Sequence, residues 1–416
     1  MSRIATTLAP VRYRDFRRLW LGTFLATGGQ WVQQATLGWV VYEVTGSASL
    51  LGAVLGVRAI PMLLLAPVSG MVADRYDRRQ GLAAAQFLMV VISVVLGVLL
   101  MLKTVRVWHL FVFSLLSGVS AVFDRTLRST LVFESVPRAE AANAVALNSI
   151  AFSVTRAVGP GVAGFLIGSV GAAWNFMIQA VLYFGVVVVA LSVQAKPHAT
   201  PAKARASPWQ EMKEGLRFAF TDKIARMMLL LGLVPPVLLI PSFGALMPVF
   251  AADVFHGGPE GLGILLSAVG VGGIAGGVAS AWATRFEQTG LVQTLALAVF
   301  AFALMAFAVS PTIGVAVIFL VIAGVAEMVH HTLYVTTLQM CAPENMRGRM
   351  ASMVPVFPAF ISVGALLAGV GADLIGAEFV VIIFAGAALA IVVRAWTRSS
   401  ALRGMRLSRL IARSQE

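Results

Sequence analysis

"GMVADRYDRR", residues 70–79, sets two acids and three arginines in ten residues of a chain in which 12% of residues are charged. It closes the apolar run "LLGAVLGVRAIPMLLLAPVSG", residues 50–70. A charged turn at the end of a long apolar run is how a membrane-crossing helix meets water, and the rest of the chain repeats the pattern. Of its 416 residues 59% are hydrophobic, and its mean hydropathy is +0.89. Both lie far above the range of soluble domains. About 20 apolar residues cross a bilayer as a helix, and such stretches lie near 18–42, 49–71, 81–102, 108–128, 144–168, 172–192, 227–251, 260–282, 289–309, 312–334, 351–372 and 378–396. These are long runs rather than alternating segments of about ten residues, so they favour helices over a membrane barrel. The sequence predicts an all-α membrane protein with twelve transmembrane helices.

Charge distribution sets the orientation. If the N-terminus is cytoplasmic, every one of the 31 Lys and Arg falls on a cytoplasmic segment or inner helix end, except Lys103 and Arg106 outside and Arg58 and Arg156 within spans. That is the positive-inside pattern, with both termini cytoplasmic. The basic lead-in "MSRIATTLAPVRYRDFRRLW" has no separate short apolar region or cleavage signal, so the first span reads as retained. The basic tail 397–416 is expected to rest on anionic lipid headgroups rather than on nucleic acid. Cys341 is the single cysteine, which leaves neither a disulfide nor a thiolate metal cluster.

The longest polar segment divides the spans six and six. Residues 1–193 form the N-terminal half and 194–226 a cytoplasmic linker, Pro- and Lys-rich at first and then amphipathic from Trp209, as in a surface helix. Residues 227–396 form the C-terminal half. Shifted by 206 residues, "DRTLRSTLVFESVPRAEAANAVALNS" (124–149) meets "HHTLYVTTLQMCAPENMRGRMASMVP" (330–355), aligning Thr126, Leu127, Thr130 and Pro137 with Thr332, Leu333, Thr336 and Pro343. Parallel six-span repeats describe one transporter architecture.

The turn at 70–79 resembles the signature loop of the major facilitator superfamily. Gly70, Asp74, Arg75, Arg78 and Arg79 match, while Asp77 stands where a second glycine is usual. Aspartate tolerates the left-handed conformation glycine would supply. The resemblance implies a conformational latch in which Asp74 faces the amino end of span eleven, where unpaired N–H groups and the helix dipole attract a carboxylate. "TGGQWVQQATLGWVVYEVTGSASLLG", "LRSTLVFESVPRAEAANAVALNS", "RAVGPGVAG" and "PENMRGRMAS" resemble a subgroup that contains macrolide-efflux and enterobactin-exporter proteins. "TRAVGPGVAG" also resembles the antiporter motif of exporters. Gly159, Pro160 and Gly164 match it as a helix bend, whereas Thr155 and Ala163 replace glycines. Ordinary close helix packing is the alternative.

No His-Glu-x-x-His, Gly-x-Ser-x-Gly or paired-aspartate constellation is present, so the chain does not read as an enzyme. "GVGGIAGG" (270–277) lies in an apolar helix with small-xxx-small spacing. With no nucleotide-binding loop and no cofactor or metal motif, an ion gradient is the remaining energy source. Intramembrane charges mark functional paths. Arg58, Arg156 and Gln30 lie near the bilayer midplane, roughly 14–18 Å from one end of their spans. With Trp31 and Gln34 they are the candidate substrate cavity. Glu327, set among apolar neighbours with His330 and His331 three and four residues on, is the candidate proton-coupling group; a buried ion pair with Arg156 is the alternative reading. Asp124 is the rival, paired with Arg78 or Arg128. Arg125 and Arg128 read as interfacial ends that anchor to headgroups or pair with the signature loop.

The sequence therefore predicts a monomeric, multi-pass secondary transporter of a bacterial cytoplasmic membrane. Its expected partners are a small-molecule substrate, protons and lipid. The expected activity is proton-coupled efflux of hydrophobic or amphipathic molecules. Alternatives are a siderophore or lysolipid exporter, whose anionic group Arg58 and Arg156 would hold, and a membrane receptor or scaffold that no longer transports.

Overall fold

The computed structural model describes residues 8–194, 217, 220–341 and 357–408. Among them there is no strand. The helices are α1 Arg14–Thr45, α2 Ala48–Val57, α3 Ala59–Arg75, α4 Arg78–Met101, α5 Val107–Glu134, α6 Ala141–Val170 and α7 Ala172–Ser192. After the linker come α8 Lys223–Val234, α9 Ile240–Gly244, α10 Met247–Val249, α11 Gly258–Ala283, α12 Thr289–Ala308, α13 Ile313–Met340, α14 Phe357–Ile375, α15 Ala377–Arg398 and the short α16 Ser400–Arg403. Among the described residues ten helical stretches are long and apolar enough to cross a membrane, and Ala359–Ile375 is a shorter apolar helix. Their outer faces carry exposed Phe, Val, Leu and Ile, such as Val181, Phe184 and Val188 on α7. That is the surface a lipid solvent calls for.

Two of the expected spans are broken, and proline is the reason. The run at 49–71 is split at Arg58 into α2 and α3. Pro61 has no N–H for the Val57 carbonyl four residues back, and its ring crowds that carbonyl. The run at 227–251 contains Pro235, Pro236, Pro241 and Pro248, and between α8 and α11 the chain runs through two π-helical turns, Pro235–Leu239 and Phe250–Val254, and the short α9 and α10. A proline by itself does not dictate a break, since α6 runs on through Pro160.

Helix ends follow local chemistry. Asp222 starts α8, its Oδ1 accepting from the N–H groups of Ile224 and Ala225 at 2.9 and 2.8 Å. Gly46 ends α1 at φ 61°, a left-handed conformation that favours glycine. Asp77 corrects an expectation. Its backbone is extended, at φ −62° and ψ 113°, not left-handed. It is instead the N-cap of α4, accepting from the Arg79 N–H at 2.9 Å, so aspartate replaces glycine here as a capping acceptor.

The helices fall into two compact units that depart from chain order at two places. One comprises α1, α3 to α7 and Gly258–Ser267 of α11. Its core contains Phe16, Leu19, Leu82, Leu127, Leu131 and Leu147. Within it α11 lies close against α6: a Cβ on Gly164 would stand 2.8 Å from the Gly263 Cα. The other comprises Ser47–Gly56, α8 to α10, the remainder of α11 and α12 to α16. Phe243, Phe250, Phe300 and Phe307 are buried there, with Phe250 and Phe307 ring centres 4.6 Å apart.

Candidate substrate and proton sites

In the first unit, α1 presents polar side chains on two faces. Gln33 is buried and accepts a hydrogen bond from the Tyr183 hydroxyl of α7 at 2.8 Å. Thr36 is buried and accepts from the Asn175 amide at 2.7 Å. These bonds satisfy polar groups that hydrocarbon cannot, and they tie α1 to α7. Trp31 lies on the α6 side. Its ring meets Phe152 edge-on at 5.7 Å, and the Arg156 guanidinium stands 5.8 Å from its centre. This cation–π contact lowers the cost of an arginine within an apolar helix. A Cβ on Gly159 would come 2.7 Å from the Trp31 Cβ, so the motif glycine lets α1 and α6 approach.

Arg58 occupies the break between α2 and α3. Its backbone and side chain pack on Gly118 of α5, where a Cβ would stand 2.6 Å from the Arg58 carbonyl oxygen. Its Nε–H and the Trp31 Nε1–H are buried without a hydrogen-bond partner among the described residues. Gln30 and Gln34 are half-buried on α1. Gln30, Trp31, Gln34, Arg58 and Arg156 all belong to the first unit, where Trp31 and Arg156 are in contact.

Asp124 pairs with Arg128 one turn along α5, and the Gln86 amide of α4 donates to it at 2.7 Å. Of the two partners expected for Asp124, Arg128 is the one found. Arg128 is buried rather than anchored at an interface. Arg78 instead bonds Glu134, at the end of α5, and donates to the Ala73 carbonyl at 2.8 Å. Sequence reasoning missed Glu134. Its sequence signal was partial: an acid at a helix C-terminus, where the dipole disfavours it, with nothing local to name its partner. Arg75 and Arg125 are exposed. Arg79 pairs with Asp77 at 2.7 Å and donates to the Val193 carbonyl at 3.1 Å. This hydrogen bond to Arg79, and the positive charge behind it, hold the Asp77 carboxyl below its ordinary range against a smaller opposing effect of burial. The expected Asp74 contact falls on a side chain and a segment outside the described residues, and so do the linker helix from Trp209 and most of the second repeat segment.

In the second unit, Glu327 is half-buried on α13, His331 is exposed, and His330 is buried and stacked with Tyr334 at 6.1 Å between ring centres. At i+4, His331 shares the Glu327 face, whereas His330 points into the packing beside Tyr334. Gly232 of α8 admits the Tyr334 ring, where a Cβ would stand 2.5 Å from it.

A family model described as a transmembrane secretion effector matches residues 5–414. The chain belongs to that family, within the major facilitator superfamily. The chain is therefore a multi-pass membrane transporter and not an enzyme. It is 25% identical to the staphyloferrin A transporter of Staphylococcus aureus, over 85% of this chain and 88% of that protein. It is 26% identical to the multidrug efflux pump Tap of Mycobacterium tuberculosis, over 85% and 86%. To the enterobactin exporter EntS of Salmonella typhimurium it is 25% identical, over 68% and 67%. The fold matches that of the nucleoside transporter NupG in its D323A mutant, with a TM-score of 0.77 at 16% identity, over 92% of this chain and 99% of that one.

Proposed function

We propose that this transporter exports hydrophobic or amphipathic small molecules from the bacterial cytoplasm by alternating access, driven by inward movement of protons. The proposal includes a twelve-span chain in two six-helix halves, 1–193 and 227–396, joined by a cytoplasmic linker, 194–226, with a basic cytoplasmic tail, 397–416, and both termini inside. The observation that carries it is the Trp31 and Arg156 pair: an aromatic face and a fixed cation held together on α1 and α6 within the apolar spans. Such a surface accepts an apolar body and an electron-rich group together. Relatives named as a multidrug efflux pump and as siderophore transporters support efflux.

Glu327 is the proposed proton carrier, with His331 on the same face of α13 and His330 behind it. Glu327→Gln tests this in proteoliposomes with an imposed pH gradient. Gradient-driven export is lost, while substrate binding and counterflow persist. Retained pH-dependent export in Glu327→Gln would overturn the assignment.

A second reading is favoured by Arg58, whose buried Nε–H lacks a partner among the described residues. With Arg156 it suits an anionic substrate such as a siderophore or a lysolipid. Competition by a polycarboxylate siderophore for binding of a cationic dye separates the two. Displacement that is lost in Arg58→Gln supports the anionic reading.

A further inference from the structure

The start of α2 is capped from the far end of the chain. Gly46 ends α1, and α2 then begins with N–H groups that have no partner in their own helix. An N-cap residue next in sequence ordinarily supplies acceptors. Here Asp373, near the end of α14, does so. Its Oδ1 accepts from the Ala48 N–H at 2.8 Å, and its Oδ2 from the Ser49 N–H at 2.9 Å and the Ser47 hydroxyl at 2.7 Å. Ser47 Oγ in turn accepts from the Leu50 N–H at 3.2 Å. A single carboxylate thus closes the first turn of a helix 325 residues away.

Below this cap the two helices run against each other along small residues. Cβ atoms on Gly52 and Gly369 would meet the carbonyl oxygens of Ala365 and Ala48, and one on Gly56 would stand 3.3 Å from the Ser362 carbonyl oxygen. Ala48, Gly52 and Gly56 recur every four residues, the spacing that lets membrane helices pack backbone to backbone. The seam stops where the helix breaks. α2 ends at Val57, Pro61 having removed the hydrogen bond that would carry it into α3, and Ser47–Gly56 groups with α14 while the chain from Val57 onward groups with α5.

We propose that Asp373 is a latch and the Val57–Arg58 break its hinge: the carboxylate fastens α2 to α14, and when it lets go α2 leaves α14 as one rigid piece. Unlike an ion pair, the contact joins a carboxylate to N–H groups and a hydroxyl. It is strong while the helix start is aligned and is lost with a small displacement. Its small-residue seam has little side chain to interlock, so release at the cap frees the whole length. Calling this side of the protein the outer one rests on the orientation proposed above.

The test measures access to the seam and needs no transport. In a Cys341→Ser background, Ala48→Cys places a thiol at a position 2% exposed and keeps the backbone N–H. Its reaction with a membrane-impermeant maleimide is followed in intact cells and in inside-out vesicles. Asp373→Ala should raise the rate about three- to tenfold, the range expected for loss of a capping carboxylate. Asp373→Asn and Ser47→Ala should give smaller rises and carry the test if Asp373→Ala does not reach the membrane. A second reporter, Ala308→Cys at a 3% exposed position on α12, should not change. Rates within twofold of the parent in all the variants recovered would overturn the latch, as would an equal rise at both reporters. A rise seen only in inside-out vesicles supports the latch and overturns the orientation.

Discussion

Arg128 grips Asp124 one helical turn back on α5, and Gln86 of α4 donates to the same carboxylate. The carboxylate thus accepts from Nε and Nη2 of Arg128 and from the Gln86 amide. This sets Asp124 apart from a residue that must load and release protons. Asp124→Asn should therefore keep pH-gradient-driven export while lowering thermal stability. Arg128→Ala should cost more, about 3 kcal/mol, because it leaves a carboxylate without its partner. Export rates and melting in detergent measure both. Loss of gradient-driven export in a stable Asp124→Asn protein would move proton coupling here from Glu327.

Arg78 links the charged turn after α3 to Glu134 at the end of α5. Glu134→Gln and Arg78→Ala should each slow export without changing membrane insertion. Since each removes the same contact, the double variant should be no worse than the poorer single one, with a coupling of about 0.5–3 kcal/mol in a stability cycle. Additive losses would mean that the two residues act separately.

Gly159→Ala sets a Cβ 2.7 Å from that of Trp31. It should destabilise the protein by about 1–3 kcal/mol through overpacking and weaken substrate binding by displacing the Trp31 ring from Arg156. Gly277→Ala, where a Cβ meets nothing within 4 Å, is the control and should be neutral or slightly stabilising. Intrinsic tryptophan fluorescence under substrate titration separates the two.

Asp77 caps α4 as a carboxylate whose folded pKa lies below its ordinary value, chiefly through its hydrogen bond to Arg79. A lowered folded pKa means that the stabilisation is present above the ordinary carboxylate pKa, about 3.9, and is lost as pH falls through the folded value. Asp77→Ala should thus cost about 1 kcal/mol at pH 7, and the gap from the parent should close in strong acid. A gap that widens on acidification would contradict the cap.

Much of the helix placement was legible because hydropathy and turn charge act locally. The runs at 81–102, 108–128, 144–168 and 172–192 lie within or nearly within α4, α5, α6 and α7, since each reflects the length of hydrocarbon a helix must cross. Pro61 and the prolines in 235–248 were also visible in the chain, but a hydropathy window averages over a missing hydrogen bond. Arg58, Arg156, Trp31, Gln30 and Gln34 could be singled out because polar groups are costly in lipid wherever they point.

Partner choice was another matter. By itself the sequence determined that apolar segments of spanning length would be helices, that the charged turns would lie between them, and that a few polar side chains would fall within those helices. Transfer free energy and intrahelical hydrogen bonding decide these things within some twenty residues. Tertiary structure alone decided that Arg128 and not Arg78 holds Asp124, that Glu134 takes Arg78, and that Asp373 closes a helix beginning at Ala48. An unpaired N–H or carboxylate accepts any suitable partner within about 3 Å, and which one arrives is set by how the helices pack.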